Sequence, residues 1–334
     1  MTIYDISEKS GVSIATVSRV LNGAKNVNPD TRERVEAVMS EMGYKPNAFA
    51  RGLGLDTMKT IGILCADSSD TYLAKAVYFI EEQLRRNNYD SLLCCTGYES
   101  SNKKKALDLL ISKKVDAAIL VGSNFLEPSR QGNKYIRNAA ASVPIMLLNA
   151  FYDYPNVYSV YCDDAGAMEQ ATDLLLDSGC RNILYLYDSR SYSGQQKIAG
   201  FTRSYGKHKI DFSPDQLQFC PCGREDIAGS IEFITSLWDK GMRFDGVLAS
   251  EDALAVAALK FASAHDLAVP DDIRIIGYNN SFLATMTIPE LTSVDNKLQP
   301  MCRQLVDTLL NVLSGHEMPV RSEYSGEIIS RETA

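Results

Sequence analysis

The sequence predicts an α/β protein in which an N-terminal three-helix head precedes a body of two lobes, each built on a parallel sheet. Three observations lead there. From Ile61 onward, short apolar β-prone runs alternate with helical patterns, the signature of parallel sheets covered by helices. Before them, Val12 to Gly23 reads as a short bounded helix that follows another helix after a tight turn, which is helix-turn-helix spacing. The chain has 334 residues, 45% of them hydrophobic, enough for a small head plus two lobes with cores of their own.

The head is read element by element. Ile3, Tyr4 and Ile6 begin an apolar stripe on a first helix that Gly11 ends. Ser13 then suits an N-cap, because its hydroxyl can accept from a free N–H of the first turn, and Gly23 can take the left-handed conformation that stops a helix. Within this second helix Val17, Val20 and Leu21 follow i, i+3, i+4 spacing and face inward. Ile14, Ala15, Thr16, Ser18, Arg19 and Asn22 are thereby turned outward. Small side chains let a helix sit deep in a major groove, hydroxyls hold phosphates, and Arg donates in pairs to guanine. The same triplet also suits an ordinary small bundle. A third helix is expected from Asn28 as N-cap, Pro29 at the first helical position, an inward stripe of Val35, Val38 and Met42, and Gly43 beyond its end.

In the body, strands are expected at 61–65, 91–96, 117–121, 145–149, 159–162, 182–187, 217–220, 246–249 and 273–278. These are too many for one compact sheet, and the stretch from Tyr152 to Val157, with Pro155, suits a crossover between lobes. Ligands of open α/β sheets bind beyond the carboxyl ends of the strands. That rule nominates Asp67, Ser69, Asp70, Tyr72, Ser123, Asn149, Asp188, Glu251 and Asn279. Asp163 and Asp252 stand where helices begin after strands, so capping is a sufficient reason for both.

The string TIYDISEKSGVSIATVSRVLNG, with Asn28-Pro29-Asp30-Thr31-Arg32-Glu33-Arg34-Val35 and Gly43-Tyr44-Lys45-Pro46-Asn47-Ala48-Phe49-Ala50-Arg51-Gly52-Leu53, closely resembles the lactose/galactose repressor family. Lys197-Ile198-Ala199-Gly200-Phe201, Glu251-Asp252, Ile276-Gly277-Tyr278-Asn279-Asn280 and Pro289-Glu290-Leu291-Thr292-Ser293-Val294 resemble landmarks of that family's sensor. The resemblance spans nearly the whole chain. It implies a dimeric regulator of a roughly palindromic operator, with a periplasmic-binding-protein-like sensor whose interlobe cleft takes a small effector. Ile14, Ala15 and Arg19 would read bases, and Thr2, Thr16, Ser18 and Asn22 would hold phosphates. Asn47 to Leu55 would form a hinge helix that folds on DNA, with Asn47, Ala50 and Arg51 at the duplex and Leu53 wedged into the central minor-groove step.

The expected division is a headpiece at 1–46, a hinge at 47–58 and a bilobed body at 59–334, lobe 1 holding about 59–157 plus 295–318 and lobe 2 about 158–292 plus 319–334. The residues agree with a conditional hinge: Gly52 and Gly54 each cost about 1 kcal/mol relative to Ala in a helix, and so short a segment does not persist as a helix in water. A plain linker has the same composition.

The effector residues implied are Asp70, Tyr72, Ser123, Asn149, Lys197, Glu251 and Asn279. Three positions depart from the family pattern: Lys197 stands for Arg, Glu251 for Asn, and Asn279 for Asp. Lys offers a point charge where Arg offers a planar fork, and Asn both donates and accepts where Asp only accepts. A sugar or sugar derivative is expected, from mixed donors and acceptors beside the Tyr72 ring. A nucleobase, a phosphorylated metabolite drawn to Lys197, a corepressor or protein partner, and no effector are the alternatives.

Net charge is −8, which at first opposes DNA binding. Residues 1–58 carry seven basic and seven acidic side chains, so the deficit lies in the body and the head must rely on sidedness. The eight cysteines include no Cys-x-x-Cys pair; Cys220-Pro221-Cys222 is the one redox or metal candidate, and no cofactor or metal is expected. No nucleophile elbow, phosphate-cradling loop or catalytic grouping around His208, His265 or His316 suggests an enzyme. With no signal peptide or membrane-length apolar run, a cytoplasmic protein is expected, and the lack of a C-terminal heptad helix points to a homodimer.

Overall fold

The computed structural model describes residues 2–21, 23–24, 26–44, 57–211, 213–223 and 226–334. Asn22, Asn47, Ala50, Arg51 and Leu53 lie outside the described residues. In the head, α1 (Ile3–Ser10), α2 (Ile14–Leu21) and α3 (Pro29–Glu41) pack around Ile6, Val17, Val20 and Val35, all buried. Gly11 and Gly23 take φ of 67° and 68°, the left-handed stops that only Gly adopts cheaply. Tyr4 differs from expectation and is 67% exposed. The inward stripe runs Ile3, Ile6, Ser10 at the helical period, which leaves Tyr4 off the buried face.

The body holds two six-stranded sheets. The first, ordered β11-β5-β4-β3-β1-β2, comprises β1 (Thr60–Cys65), β2 (Asp90–Cys95), β3 (Ala117–Val121), β4 (Ile145–Leu148), β5 (Val157–Cys162) and β11 (Arg321–Tyr324), all paired in parallel. The second, ordered β12-β10-β9-β8-β6-β7, comprises β6 (Ile183–Tyr187), β7 (Leu217–Phe219), β8 (Gly246–Ala249), β9 (Arg274–Tyr278), β10 (Thr292–Asp295) and β12 (Glu327–Ile329), parallel except for β12.

Both sheets are covered on both faces, which is why β3, β4 and β8 are buried along their whole length. On the first, α4 (Thr71–Arg86) and α11 (Leu298–Leu313) cover one face, while α5 (Ser100–Ser112) and α6 (Lys134–Ala140) cover the other. On the second, α7 (Asp164–Asp177) and α8 (Tyr192–His208) lie opposite α9 (Ile227–Asp239) and α10 (Asp252–Ala264).

All nine expected strands form, but the crossover lies elsewhere. Residues 159–162 and 321–324 do not join lobe 2 as expected: 159–162 belong to β5, which pairs with β4 in the first sheet, and 321–324 pair with β5. The Pro155 stretch is a short return between two parallel neighbours. Such strands usually need a dozen or more linking residues, so a break of this length reads as a lobe boundary. The chain instead passes between sheets after Cys162, after Asp295 and after Tyr324.

Candidate functional site

In the head, Ser13 caps α2 as expected, its Oγ accepting from Thr16 N at 3.2 Å. Asn28 caps α3, accepting from Asp30 N at 2.9 Å. The Thr2 N–H donates to Asp5 Oδ2 at 2.7 Å, and Lys9 pairs with Glu41 at 2.7 Å, tying α1 to α3. These contacts leave Ile14, Ala15 and Arg19 on one side of α2 with Thr16 and Ser18, Ile14 and Ala15 being exposed at its front. Thr16 Oγ1 already lies 2.9 Å from Ser13 Oγ, so its hydroxyl takes part in the helix start. The outward face carries small residues at its front and an exposed cation one turn behind.

In the body, strand ends of the two sheets face a common cavity. Tyr72, Ser123, Asn149, Lys197, Glu251 and Asn279, six of the seven expected effector residues, line it. The seventh, Asp70, does not line this cavity: its carboxylate caps α4, accepting from Tyr72 N at 2.9 Å and Leu73 N at 3.0 Å, and it opens on a neighbouring cavity.

The first lobe presents its groups from fixed turns. Gly122, at φ 105°, leads from β3 into the turn Ser123–Phe125, and a Cβ there would meet Leu73 Cδ2 at 2.8 Å. Buried Lys103 holds the turn from below, donating to Asn124 O at 2.5 Å and Glu127 Oε1 at 3.1 Å. Asn149 follows β4 in the left-handed region, at φ 64°, which Asn tolerates better than most residues. Two buried amide atoms of this lobe, Asn149 Oδ1 and Asn124 Nδ2, have no hydrogen-bond partner. An acceptor and a donor left dry at one cavity cost free energy until a ligand or water meets them.

The second lobe contributes a buried polar cluster. Lys197 Nζ donates to Ser250 O at 2.9 Å and stands 3.6 Å from the centre of the Tyr278 ring. The Tyr278 hydroxyl donates to Asp164 Oδ1 at 2.5 Å. Burial raises the Asp164 carboxyl above its ordinary value, with the Lys197 charge, Ser193 and Tyr278 opposing the rise. Lys197 is therefore both pocket lining and counter-charge to a buried acid. Asp163 caps α7 through Gly166 N at 2.9 Å, as expected. Asp252 does not cap: its oxygens accept from Ser281 N at 2.6 Å and Ser293 Oγ at 2.5 Å, pinning α10 to the segments beside β9 and β10.

The lobes touch across the cavity where Ser123 Oγ donates to Ser191 Oγ at 2.9 Å. Asn296 Nδ2, beyond β10, donates to Tyr72 OH and to Asn279 Oδ1, each at 3.1 Å. The cavity left between them measures about 70 Å³, well under the roughly 300–1,000 Å³ usual for small-molecule sites. The lobes thus leave only a narrow space between them here.

Sequence reasoning missed Tyr98, Asn124, Ser191, Ser193 and Asn296. Tyr98 follows β2 and is within reach of the strand-end rule; Asn296 follows β10, a strand too short and polar to stand out. Cys222 lies in the neighbouring cavity rather than in a ligand cluster. Burial and then Cys220 push its thiol up to about 11, which suppresses the reactive thiolate. Among the described residues no group of His, Cys, Asp or Glu is placed to hold a metal, and no helix is long and apolar enough to cross a membrane.

Residues 2–47 match the model for bacterial regulatory proteins of the lacI family, and residues 172–334 match a periplasmic binding protein-like domain. An HTH-type transcriptional regulator of Lachnoclostridium phytofermentans is 49% identical over 333 residues, covering 100% of this chain and 99% of that protein. The Lac repressor dimer bound to operator and the anti-inducer ONPF shares the fold with a TM-score of 0.86 at 23% identity, covering 100% of this chain and 98% of that one. The transcriptional regulator CelR in its cellobiose complex aligns over 100% of both chains, with a TM-score of 0.72 at 24% identity. With a helix-turn-helix head, two doubly wound lobes and a full-length relative at 49% identity, the chain is a transcriptional regulator and belongs to the lacI family of bacterial regulatory proteins.

Proposed function

We propose that this regulator is a cytoplasmic repressor of carbohydrate-utilisation genes, binding its operator as a homodimer and released by a sugar or sugar derivative in the interlobe cleft. The observation that carries the ligand class is the pair of unpartnered amide atoms, Asn149 Oδ1 and Asn124 Nδ2, in a cavity whose lining also includes serine hydroxyls, carboxylates and Tyr72. A polyhydroxylated neutral molecule donates and accepts at each hydroxyl and has apolar C–H faces for an aromatic ring. A phosphorylated metabolite is less well matched. Asp188 and Glu251 line the cavity, and Lys197, the cation there, is committed to the Ser250 carbonyl and the Tyr278 ring. The cellobiose held by CelR, which shares this fold, supports the same reading.

In this reading residues 1–46 form the reading head, 47–58 the hinge and 59–334 the sensor, with Thr2, Ile14, Ala15, Thr16, Ser18, Arg19 and Asn22 at the duplex and Asn47, Ala50, Arg51 and Leu53 at its centre. The homodimer is supported by exposed apolar surface on both lobes. On the first, edge strand β2 exposes Leu92 and Leu93 at 40% and 47%, and α4 exposes Tyr78; on the second, Met286 and Ile288 are 72% and 99% exposed. An edge strand with apolar side chains is a liability unless another chain covers it.

Ligand entry requires Ser123 and Ser191 to separate, because the narrow cavity is too small. Lobe separation then changes the spacing of paired heads, and linkage requires that a ligand which weakens operator binding itself bind the operator complex more weakly. The test has two steps. Selection of duplexes from a random library with the purified full-length protein should enrich a palindrome with a deformable central step. Titration of a sugar panel against that complex should then release it, whereas release by none of the sugars would remove the inducer reading.

A further inference from the structure

The central cavity has two neighbours, and they differ in how they connect to it. One, of about 390 Å³, shares Tyr72, Glu251 and Asn279 with it, and two of these shared side chains, Tyr72 and Asn279, are tied together by the Asn296 amide. The other, of about 580 Å³, shares Tyr98, Asp188 and Ser189 with it, and Tyr98 is 54% exposed. This outer cavity is again built from both lobes, with Asp67 and Ser69 from the first facing Arg190 and Phe219 from the second.

The outer cavity repeats the chemistry of the central one. Asp67 is held by Ser69, whose N–H and Oγ donate to Oδ1 at 2.9 and 2.7 Å, which presents a fixed carboxylate and hydroxyl. The Arg190 guanidinium lies over the Phe219 ring, 4.7 Å from its centre, a cation–π contact that adds a planar set of N–H donors to this cavity. An aromatic ring beside a carboxylate and hydroxyls thus occurs twice along one path. Its volume is in the range of small-molecule sites, whereas that of the narrow central cavity is not.

We propose that the effector is an oligosaccharide of at least two rings, one in the central cavity and the next beyond Tyr98 and Asp188 in the outer cavity. A ligand made of a repeated polyhydroxylated unit matches a site made of a repeated constellation. The inference rests on the carbohydrate reading of the cleft and goes further by fixing the length of the ligand. Lobe opening still admits the first ring; the second gives the ligand a hold on both lobes at the rim.

Calorimetry on the full-length protein with glucose and galactose, and with their α- and β-linked di- and trisaccharides, tests this. The preferred disaccharide should bind at least tenfold more tightly than its own monosaccharide. In Ser69→Trp, which fills the outer cavity, that ratio should fall towards one. Cys222, which lines the outer cavity, gives an independent readout that needs no variant: its slow modification by excess methyl methanethiosulfonate, driven at alkaline pH because little of the thiol is ionised near neutrality and followed by peptide mass spectrometry, should be slowed further by the disaccharide and not by the monosaccharide. Equal affinity for mono- and disaccharide, or unaltered Cys222 modification in saturating disaccharide, overturns the two-ring site while leaving the sugar reading intact. If none of these sugars binds, the carbohydrate reading falls and takes this inference with it.

Discussion

Asn149 shows how a single side chain can announce a ligand. Its backbone is held at φ 64° and its Oδ1 is buried without a partner, so the amide is kept in an unfavourable state that contact with a ligand hydroxyl relieves. Asn149→Gly keeps the backbone conformation and deletes the amide. Effector affinity measured by calorimetry should fall roughly tenfold, about 1.4 kcal/mol for one lost hydrogen bond, with little change in melting temperature. Lys197 should behave oppositely. Lys197→Ala leaves Asp164 buried without its counter-charge, and removing one partner of a buried pair costs about 3 kcal/mol or more. The melting temperature should therefore drop by several degrees before any effect on ligand is read. On α2, Ala15 is exposed at the front of the reading face, and Ala15→Gln should change the operator consensus recovered by selection. An unchanged consensus would show that this face is not the one in the groove.

Helices and strands owe their bounds to local chemistry and their partners to packing. The head helices start at Ser13 and Asn28 and stop at glycines, as the sequence alone indicates, because capping is a contact between near neighbours. The clasp between α7 and α8 was not legible: Asp173 accepts from Ser204 Oγ and Lys207 Nζ, each at 2.5 Å, and lies 3.0 Å from His208 Nε2. Burial pushes the Asp173 carboxyl up, but the α8 donors prevail and hold it below its ordinary value. A carboxylate depressed in the folded state contributes stability that is present above its unfolded pKa and lost as pH falls through the folded one. Acid unfolding followed by circular dichroism should therefore be shallower for Asp173→Asn than for the parent protein over that acidic window. The link between β4 and β5 is the element-scale surprise. Pro155 marked a real break, but only the pairing of Ile145 with Val157 through Leu148 with Val160 shows that the break lies inside one sheet.

At the scale of the whole molecule, the cleft is where the lobes meet and where the proposed dimer must respond. Leu93→Lys together with Met286→Lys places charge on exposed apolar surface of each lobe, on residues that line neither the central nor the outer cavity. Light scattering should report a monomer, and operator affinity should fall roughly 100-fold or more as paired heads lose their avidity; a persistent dimer would place the interface elsewhere. The sequence by itself determined the head, the nine principal strands, the doubly wound class and seven of the residues that line the central cavity, Asp188 among them. Those follow from periodicity, capping, the position of strand ends and the family resemblance, all of which can be read along the chain. Only the tertiary structure decided that β5 and β11 join the first sheet and that Asp252 is a tie rather than a cap. It alone showed Lys197 serving a buried acid, and a second cavity continuing past Tyr98. Each of these depends on which distant segments share a face, and burial and pairing between segments far apart in sequence leave no periodic trace in the chain.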